Sequence, residues 1–193
     1  MGNDGNEEDI ALMARVARGD EEAFRLLVEK HQGAVIGTVA KMTNNSHESE
    51  DIAQQVFIRL WKSAKRYQPT AKFTTFLFTI TRNLVFNASR RKSRRKEHSL
   101  DEQEDDWHRS VEDPAATSRP DLTLANSELR TMVDQAIASL PEKQRLAVVL
   151  RRYENMPYDE IASVLELSVP AVKSQLFRAR TALREALEPY LKE

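Results

Sequence analysis

The sequence YDEIASVLELSVPAVKSQLFRARTALR, residues 158–184, decides the fold of the C-terminal part of this chain. In its first third the apolar side chains fall at Tyr158, Ile161, Ala162 and Leu165. These positions have the i, i+3, i+4, i+7 spacing of residues that share one face of a helix. The spacing therefore predicts a short amphipathic helix that ends near residue 165.

The rest of this stretch is predicted to form a second helix, entered through a tight turn at Glu166-Leu167. Ser168 can cap this helix, because its hydroxyl can accept a hydrogen bond from the free amide groups of the first turn. The apolar stripe of the helix consists of Val172, Leu176, Ala179 and Leu183. Helix, short turn and helix in this order predict a helix-turn-helix.

Phe177 lies opposite that stripe, on a face that otherwise carries Lys, Arg, Ser and Thr. A core aromatic belongs on the stripe, whereas an exposed one among cations can meet base edges and thymine methyl groups in a major groove. The alternative is an ordinary helical hairpin with a solvated basic face. The short turn, the cap and the displaced aromatic together favour DNA binding.

Composition limits the remaining possibilities. The 193 residues leave room for one ordinary domain or two small ones, and five glycines without strand-like alternation predict an all-α protein. The absence of cysteine excludes disulfides and cysteine-based metal sites. Because no apolar run reaches the roughly 18 residues of a membrane span and the N-terminus is polar, we expect a cytoplasmic protein without membrane insertion.

The charge is balanced overall but segregated along the chain. Twenty-nine basic and 30 acidic residues give a net charge of −1, which predicts weak DNA binding by the free chain. One acid-free run is strongly basic and contains Arg90, Arg91, Lys92, Arg94, Arg95 and Lys96. Residues 97–125 follow, rich in acids and with two prolines, and are predicted to be a flexible linker between domains at 7–96 and 126–193. We expect the single tryptophan of this linker, Trp107, to dock on another surface.

The N-terminal domain is predicted to contain four helices. The first runs from Ile10 to Arg18, the second follows an Asp20 cap and reaches Met42, and the third follows a Ser46 cap and reaches Lys65. The predicted inner face of the second helix is Phe24, Leu27, Val28, Val35, Ile36 and Val39, and that of the third is Ile52, Val56 and Leu60, flanked by Phe57 and Trp61. The fourth carries Phe73, Leu77, Ile80 and Leu84 on one face and continues into the basic run.

The fourth helix also carries a second sign of nucleic-acid binding. Phe76, Phe78 and Phe86 are interspersed with threonine, arginine and asparagine side chains. Aromatic rings beside amides and cations suit unstacked single-stranded bases. The alternative is that these rings are core, which we expect for Phe73; Phe76 and Phe78 cannot both lie on its face.

Three segments in this order resemble the extracytoplasmic-function (ECF) group of bacterial sigma factors. They are DIAQQVFIRLW at 51–61, FTTFLFTITRNL at 73–84, and the helix-turn-helix at 156–180. The resemblance implies a two-domain initiation factor that binds core RNA polymerase, directs it to promoter DNA and promotes strand opening. It implies neither catalytic residues nor a metal or cofactor, and members of the group are commonly controlled by an anti-sigma factor.

The resemblance also assigns roles to residues of this sequence. Those implied to contact the clamp helices of polymerase are Asp51, Gln54, Gln55, Arg59 and Leu60. Those implied at the −10 element, with Asn83 receiving a flipped base, are Phe76, Phe78, Arg82, Asn83, Asn87, Arg90 and Arg91. Those implied to contact the −35 element are Ser168, Lys173, Ser174, Phe177, Arg178 and Arg180. Of these, Ser168 and Arg180 are implied to contact phosphates.

Four positions depart from the usual pattern of the group. Gln55 replaces an acid, Phe76 a tryptophan, Glu166 a glycine and Gln175 an arginine, so promoter sequences cannot be transferred from relatives. Two rival functions remain: a stand-alone helix-turn-helix regulator, and an enzyme acting on nucleic acid. A stand-alone regulator normally carries a ligand or dimerisation domain. An enzyme is not indicated either, because the four histidines form no metal-ligand pattern.

Overall fold

A computed structural model describes residues 4–43, 46–98 and 120–190. Every regular element within these ranges is helical, which confirms the predicted all-α fold. The α-helices of these ranges are α1 (Asp4–Val16), α2 (Glu21–Thr43), α3 (Ser46–Ser63), α4 (Phe73–His98), α5 (Pro120–Ala138), α6 (Glu142–Arg152), α7 (Tyr158–Leu165) and α8 (Val169–Leu187). Short 3₁₀ turns follow α3 at Ala64–Arg66 and α8 at Glu188–Tyr190. None of these helices is long and apolar enough to cross a membrane.

Helices α1 to α4 form the N-terminal domain, in which α2 packs against the other three. Asp20 caps α2 as predicted, its Oδ1 accepting a hydrogen bond of 3.0 Å from the Ala23 amide. Leu27, Val35 and Val39 are fully buried, but Ile36 is 37% exposed, so its predicted place on the inner face is wrong. It lies on the side of α2 that faces away from the core.

Helix α1 begins six residues earlier than predicted, because tertiary contacts extend it. Asp9 is buried, with Lys30 Nζ 2.6 Å from one carboxylate oxygen and His31 Nε2 3.0 Å from the other. Burial alone would raise the pKa of Asp9, but the hydrogen bonds from His31 and Lys30 hold it below its usual value. Asn6 accepts a 2.9 Å hydrogen bond from the Phe73 amide, so the start of α1 also caps α4.

Helices α5 to α8 form the C-terminal domain. Helix α5 begins at Pro120, inside the segment predicted to be linker, because proline is favoured in the first turn of a helix, where its missing amide hydrogen costs nothing. The remainder of that linker, including Trp107, lies outside the described residues. The core of the domain is built on α6, where Leu146, Val149 and Leu150 are almost completely buried.

The two domains pack against each other. A single cluster of buried apolar side chains includes residues from both, and α7 lies against α4 while α6 lies against α2. Arg145 of α6 donates hydrogen bonds to the carbonyl of Met42 at 2.8 Å and to that of Leu140 at 3.0 Å. One guanidinium therefore joins the end of α2 to the loop that precedes α6.

Candidate functional site

The outer face of α8 carries the six residues predicted to contact the −35 element. Val172 and Ala179 of this helix are fully buried, as predicted, and Leu176 and Leu183 are half-buried. Ser168, Lys173, Ser174, Arg178 and Arg180 are all exposed. Phe177 is 70% exposed, the largest exposure among the large apolar residues described as exposed. The core of the domain therefore does not need this ring, and it is free to contact a ligand.

The turn before α8 is held by its cap and by an unusual backbone conformation. The Ser168 hydroxyl accepts a hydrogen bond of 3.3 Å from the Ala171 amide, which confirms the predicted cap. Glu166 adopts a left-handed conformation, with φ of 53° and ψ of 49°. Glycine reaches this conformation without steric cost, whereas a glutamate does not. The turn therefore carries backbone strain at Glu166.

The phenylalanines of α4 divide into buried and partly accessible rings. Phe73 is fully buried, as predicted, and Phe78 is 3% exposed. Phe76 is half-buried and packs against the ring of Tyr67, with 5.0 Å between centroids. The ring of Phe78 is therefore covered in this arrangement of the domains, and its contact with DNA stays a prediction.

Arg82, predicted to contact the −10 element, is covered in the same way. It is 7% exposed and donates hydrogen bonds of 2.7 Å to the Val164 carbonyl and 2.7 Å to the Glu166 carboxylate. The hydrogen bond from Arg82 holds the pKa of Glu166 below its usual value. Arg82 also donates to the Asn83 side-chain oxygen at 2.6 Å, while Asn83 itself remains exposed. In this arrangement Arg82 is therefore bound to the C-terminal domain rather than available to DNA.

Further along α4, exposed cations surround a pocket that we call the basic pocket. It has a volume of about 380 Å³ and is lined by Arg59, Leu84, Asn87, Arg90, Arg91 and Arg94. Among the residues that the structure describes, no carboxylate lines it, so its chemistry suits a phosphate. Arg59 was expected on the polymerase surface, but its side chain lies here with the residues expected to hold DNA.

On the opposite side of α3 lies an apolar groove between α2 and α3. It has a volume of about 440 Å³ and is lined by Phe24, Val28, Gln32, Ile36, Glu50, Ala53, Gln54, Phe57, Ile58 and Trp61. Phe24 and Trp61 meet edge to face with 5.0 Å between ring centroids. We refer to this surface as the apolar groove.

The apolar groove only partly matches the predicted polymerase surface. Gln54 lines it, and Asp51 and Gln55 are exposed on the same helix. Leu60 is fully buried, so its predicted place on the docking surface is wrong: it belongs to the core stripe of α3. The sequence analysis did not predict the groove. Ile36 and Ile58 are a signal for it in the sequence, because each is an isoleucine out of phase with the buried stripe of its helix.

Among the described residues, no group of three or more histidine and carboxylate side chains is arranged to hold a metal ion. The Asp9 cluster described above is a set of ion pairs that links two helices of one domain.

Two family models match the two domains in chain order. One, described as Sigma-70 region 2, matches residues 27–95, and the other, described as Sigma-70, region 4, matches residues 130–183. The chain is 34% identical to the RNA polymerase sigma-H factor of Pseudomonas aeruginosa over 191 residues, 97% of each chain. It is 32% identical to the ECF RNA polymerase sigma-E factor of Escherichia coli over 185 residues, covering 95% of this chain and 96% of that one.

Solved structures show the same fold. CnrH, in its complex with the cytosolic domain of CnrY, is 25% identical and superposes with a TM-score of 0.70 over 94% of this chain and 98% of that one. The sigma factor RpoE of Bartonella quintana, in complex with the anti-sigma factor NepR, is 21% identical with a TM-score of 0.69, over 86% of this chain and 96% of that one.

Proposed function

The chain belongs to the ECF sigma factors of bacterial RNA polymerase, and we propose that its exposed surfaces divide the contacts of such a factor among polymerase, the −10 element and the −35 element. Its function is to bind core RNA polymerase and direct it to promoters for transcription initiation. Each of the three contacts is assigned to a separate surface of the chain.

We assign polymerase binding to the apolar groove. An exposed groove with an apolar floor and a polar rim suits an amphipathic helix, which buries its apolar face against the floor. The clamp helices implied by the family resemblance are partners of this kind. Gln54 would then contact them from the groove, and Asp51 and Gln55 from the exposed surface of the same helix.

We assign −35 recognition to the exposed face of α8. Phe177 and Arg178 lie where a helix in the major groove presents side chains to base edges, while Lys173 and Arg180 lie towards the flanks, where phosphates pass. The Ser168 hydroxyl already caps α8, so its expected phosphate contact would be made in addition to the cap.

We assign the −10 element to α4. Asn83 and the half-buried Phe76 are accessible for unpaired bases, and the basic pocket offers Arg59, Asn87 and the arginines of α4 to the DNA backbone. Phe78 and Arg82 can join them only after the C-terminal domain moves away. Strand opening and capture of a flipped base remain proposals that rest on the family resemblance.

The observation that best supports this function is that one chain has three separate surfaces of suitable chemistry. One is an apolar groove, which suits a protein partner, and the other two are cationic, which suits nucleic acid. A net charge of −1 supports it, because polymerase can supply the affinity that the free chain lacks and can hold two weak DNA sites at a fixed separation. We infer that the chain acts in the cytoplasm with polymerase, is not itself an enzyme, and is restrained by an anti-sigma factor.

The test is transcription by purified core polymerase from the promoter of the chain's own operon, with and without this protein. We expect promoter-specific transcripts only when it is present. A chain carrying Phe177→Ala and Arg178→Ala is the matched control, because it should bind core polymerase normally and lose promoter selection. Tight, sequence-specific binding of the free chain to duplex DNA in physiological salt, without any effect on polymerase, would instead identify a stand-alone regulator.

A further inference from the structure

The side chain of Asn83 on α4 is exposed, but one end of its amide is already engaged. Its Oδ1 accepts two hydrogen bonds from the guanidinium of Arg82, one of 3.1 Å from Nε and one of 2.6 Å from Nη2. A guanidinium has donors and no acceptor, so it can pair only with the oxygen end of an amide. The contact with Arg82 therefore fixes the orientation of the Asn83 amide, and the Nδ2 amino group is left for other contacts.

This pairing is a property of α4 itself. Neighbouring side chains of a helix diverge by about 100°, so the contact depends on the length of the arginine side chain and does not follow from adjacency alone. Arg82 also donates hydrogen bonds to Val164 and Glu166 of the C-terminal domain. The pairing with Asn83 does not require those contacts, because both of its members belong to one helix.

The free donor of Asn83 lies on the side of α4 that is assigned to the −10 element. Phe76, Asn83 and Arg90 are spaced by seven residues, and side chains two helical turns apart lie on nearly the same side. Phe76 is half-buried, and Arg90 lines the basic pocket. The structure gives Nδ2 of Asn83 no partner among the residues that it describes. One helix face thus offers, in order, a ring that can stack on a base, a free amide donor and a cation for the backbone.

The orientation of the amide decides which bases it can recognise. An asparagine with both ends free reads adenine through two hydrogen bonds, accepting one from the N6 amino group and donating one to N7. The two lone pairs of Oδ1 in Asn83 are already used by Arg82, so this pair cannot form. The remaining donor needs an acceptor, and adenine is the one DNA base without a carbonyl oxygen. Cytosine, thymine and guanine each offer such an oxygen.

We propose that Arg82 is a positioning residue for base recognition. It turns the amide of Asn83 so that the −10 strand is read by a donor alone, which selects a base with a carbonyl oxygen and excludes adenine. Arg82 acts here through Asn83 and needs no contact of its own with DNA. The proposal rests on the assignment of Asn83 to an unpaired base of the −10 element.

The test uses the full chain bound to core polymerase, with a fluorescent promoter that is unpaired across the −10 element. Each unpaired base of the non-template strand is varied in turn, and affinity is measured by fluorescence anisotropy. The position read by Asn83 is the one at which Asn83→Ala abolishes the base preference. There the native chain should bind adenine about three- to tenfold more weakly than the best other base, the effect of one net hydrogen bond. Hypoxanthine, which has a carbonyl oxygen in place of the adenine amino group, should restore the affinity.

Two variants change the amide and its support separately. Arg82→Met removes the guanidinium, so adenine and hypoxanthine should bind equally, because Oδ1 is then free to accept a hydrogen bond. Asn83→Asp keeps Arg82 and replaces the outward donor by an acceptor, so adenine should bind better than hypoxanthine. The ratio of these two affinities is the quantity to compare, since a general loss of stability or affinity leaves a ratio unchanged.

The matched control is Glu166→Gln. It weakens the contact of Arg82 with the C-terminal domain and leaves the contact with Asn83 in place. Its ratio of adenine to hypoxanthine affinity should equal that of the native chain. A changed ratio would mean that base reading depends on the contact between domains, and it would overturn the proposal.

A penalty for adenine that is lost in Arg82→Met and reversed in Asn83→Asp supports the proposal. Equal binding of adenine and hypoxanthine by the native chain, or a penalty that persists in Arg82→Met, overturns it. If Arg82→Met does not fold, the ratio in Asn83→Asp decides alone. If the complex initiates transcription but no position responds to Asn83→Ala, the assignment of Asn83 and the proposal are both wrong. If no form of the chain directs polymerase, the assigned function itself is wrong.

Discussion

Replacing Ile58 by glutamate should disrupt binding to core polymerase while leaving the fold intact. Ile58 lines the apolar groove and is 36% exposed, so its side chain already tolerates water in the free protein. An amphipathic helix docked in the groove would cover the exposed part. In the free protein the carboxylate of the variant would be hydrated. In the complex it would be enclosed between the apolar floor of the groove and the apolar face of the partner.

The size of the effect can be worked out from that exposure. Burying an isoleucine side chain completely contributes about 1.5–3 kcal/mol, so covering the remaining third contributes about 0.5–1 kcal/mol. Ile58→Ala should accordingly weaken binding about two- to fivefold. A carboxylate buried without a partner costs on the order of 3–5 kcal/mol, so Ile58→Glu should weaken binding at least about 100-fold.

The assay is titration of labelled chain with core polymerase, followed by fluorescence anisotropy. Leu129→Glu is the matched control, because Leu129 is 46% exposed on α5, outside the groove. Circular dichroism melting should show both variants folded, since both side chains lie at the surface and neither belongs to the fully buried core. The assignment of the groove is refuted if Ile58→Glu binds core polymerase as tightly as Leu129→Glu does.

Three further predictions concern DNA contacts and pH. In a library of randomised −35 elements, Arg178→Ala should change the base preference at one position by about 1–3 kcal/mol. Lys173→Ala should instead weaken binding to all sequences alike. An unchanged base preference for Arg178→Ala would contradict its role. Arg59→Ala should weaken promoter complexes and lower their salt dependence without affecting core binding; a loss of core binding would return Arg59 to the polymerase surface. Glu154 follows α6, 3.4 Å from the Thr38 hydroxyl of α2, and burial raises its pKa above the usual 4.5, so the folded chain binds this proton more tightly than the unfolded one. The stability of the fold should therefore fall as pH rises from about 4.5 through the raised pKa, and Glu154→Gln should remove that part of the pH dependence of the melting temperature.

Helical periodicity was enough to predict most of the core. Two apolar stripes are buried as predicted: Ile52, Val56 and Leu60 of α3, and Val172 and Ala179 of α8. A helix with one apolar side packs with that side against the core. The exposed face of α8 could be predicted by the same rule, since a large ring off the stripe has no place in the core.

The features that the sequence could not predict depend on contacts between distant residues. Arg82 and Glu166 are 84 positions apart, and no periodic pattern connects them. The early start of α1 depends on the pairing of Asp9 with Lys30 and His31, which is visible only when two helices are packed. Pro120 is ambiguous in a sequence, because proline both interrupts helices and begins them.

The left-handed residue at the end of α7 has a consequence for engineering this chain. Glycine at position 166 would relax the turn and stabilise the C-terminal domain by itself. The same change would remove the carboxylate that binds Arg82 and would loosen the domain contact. A screen that selects only for thermal stability of that domain would thus choose glycine, and would at the same time remove an ion pair that joins the two domains.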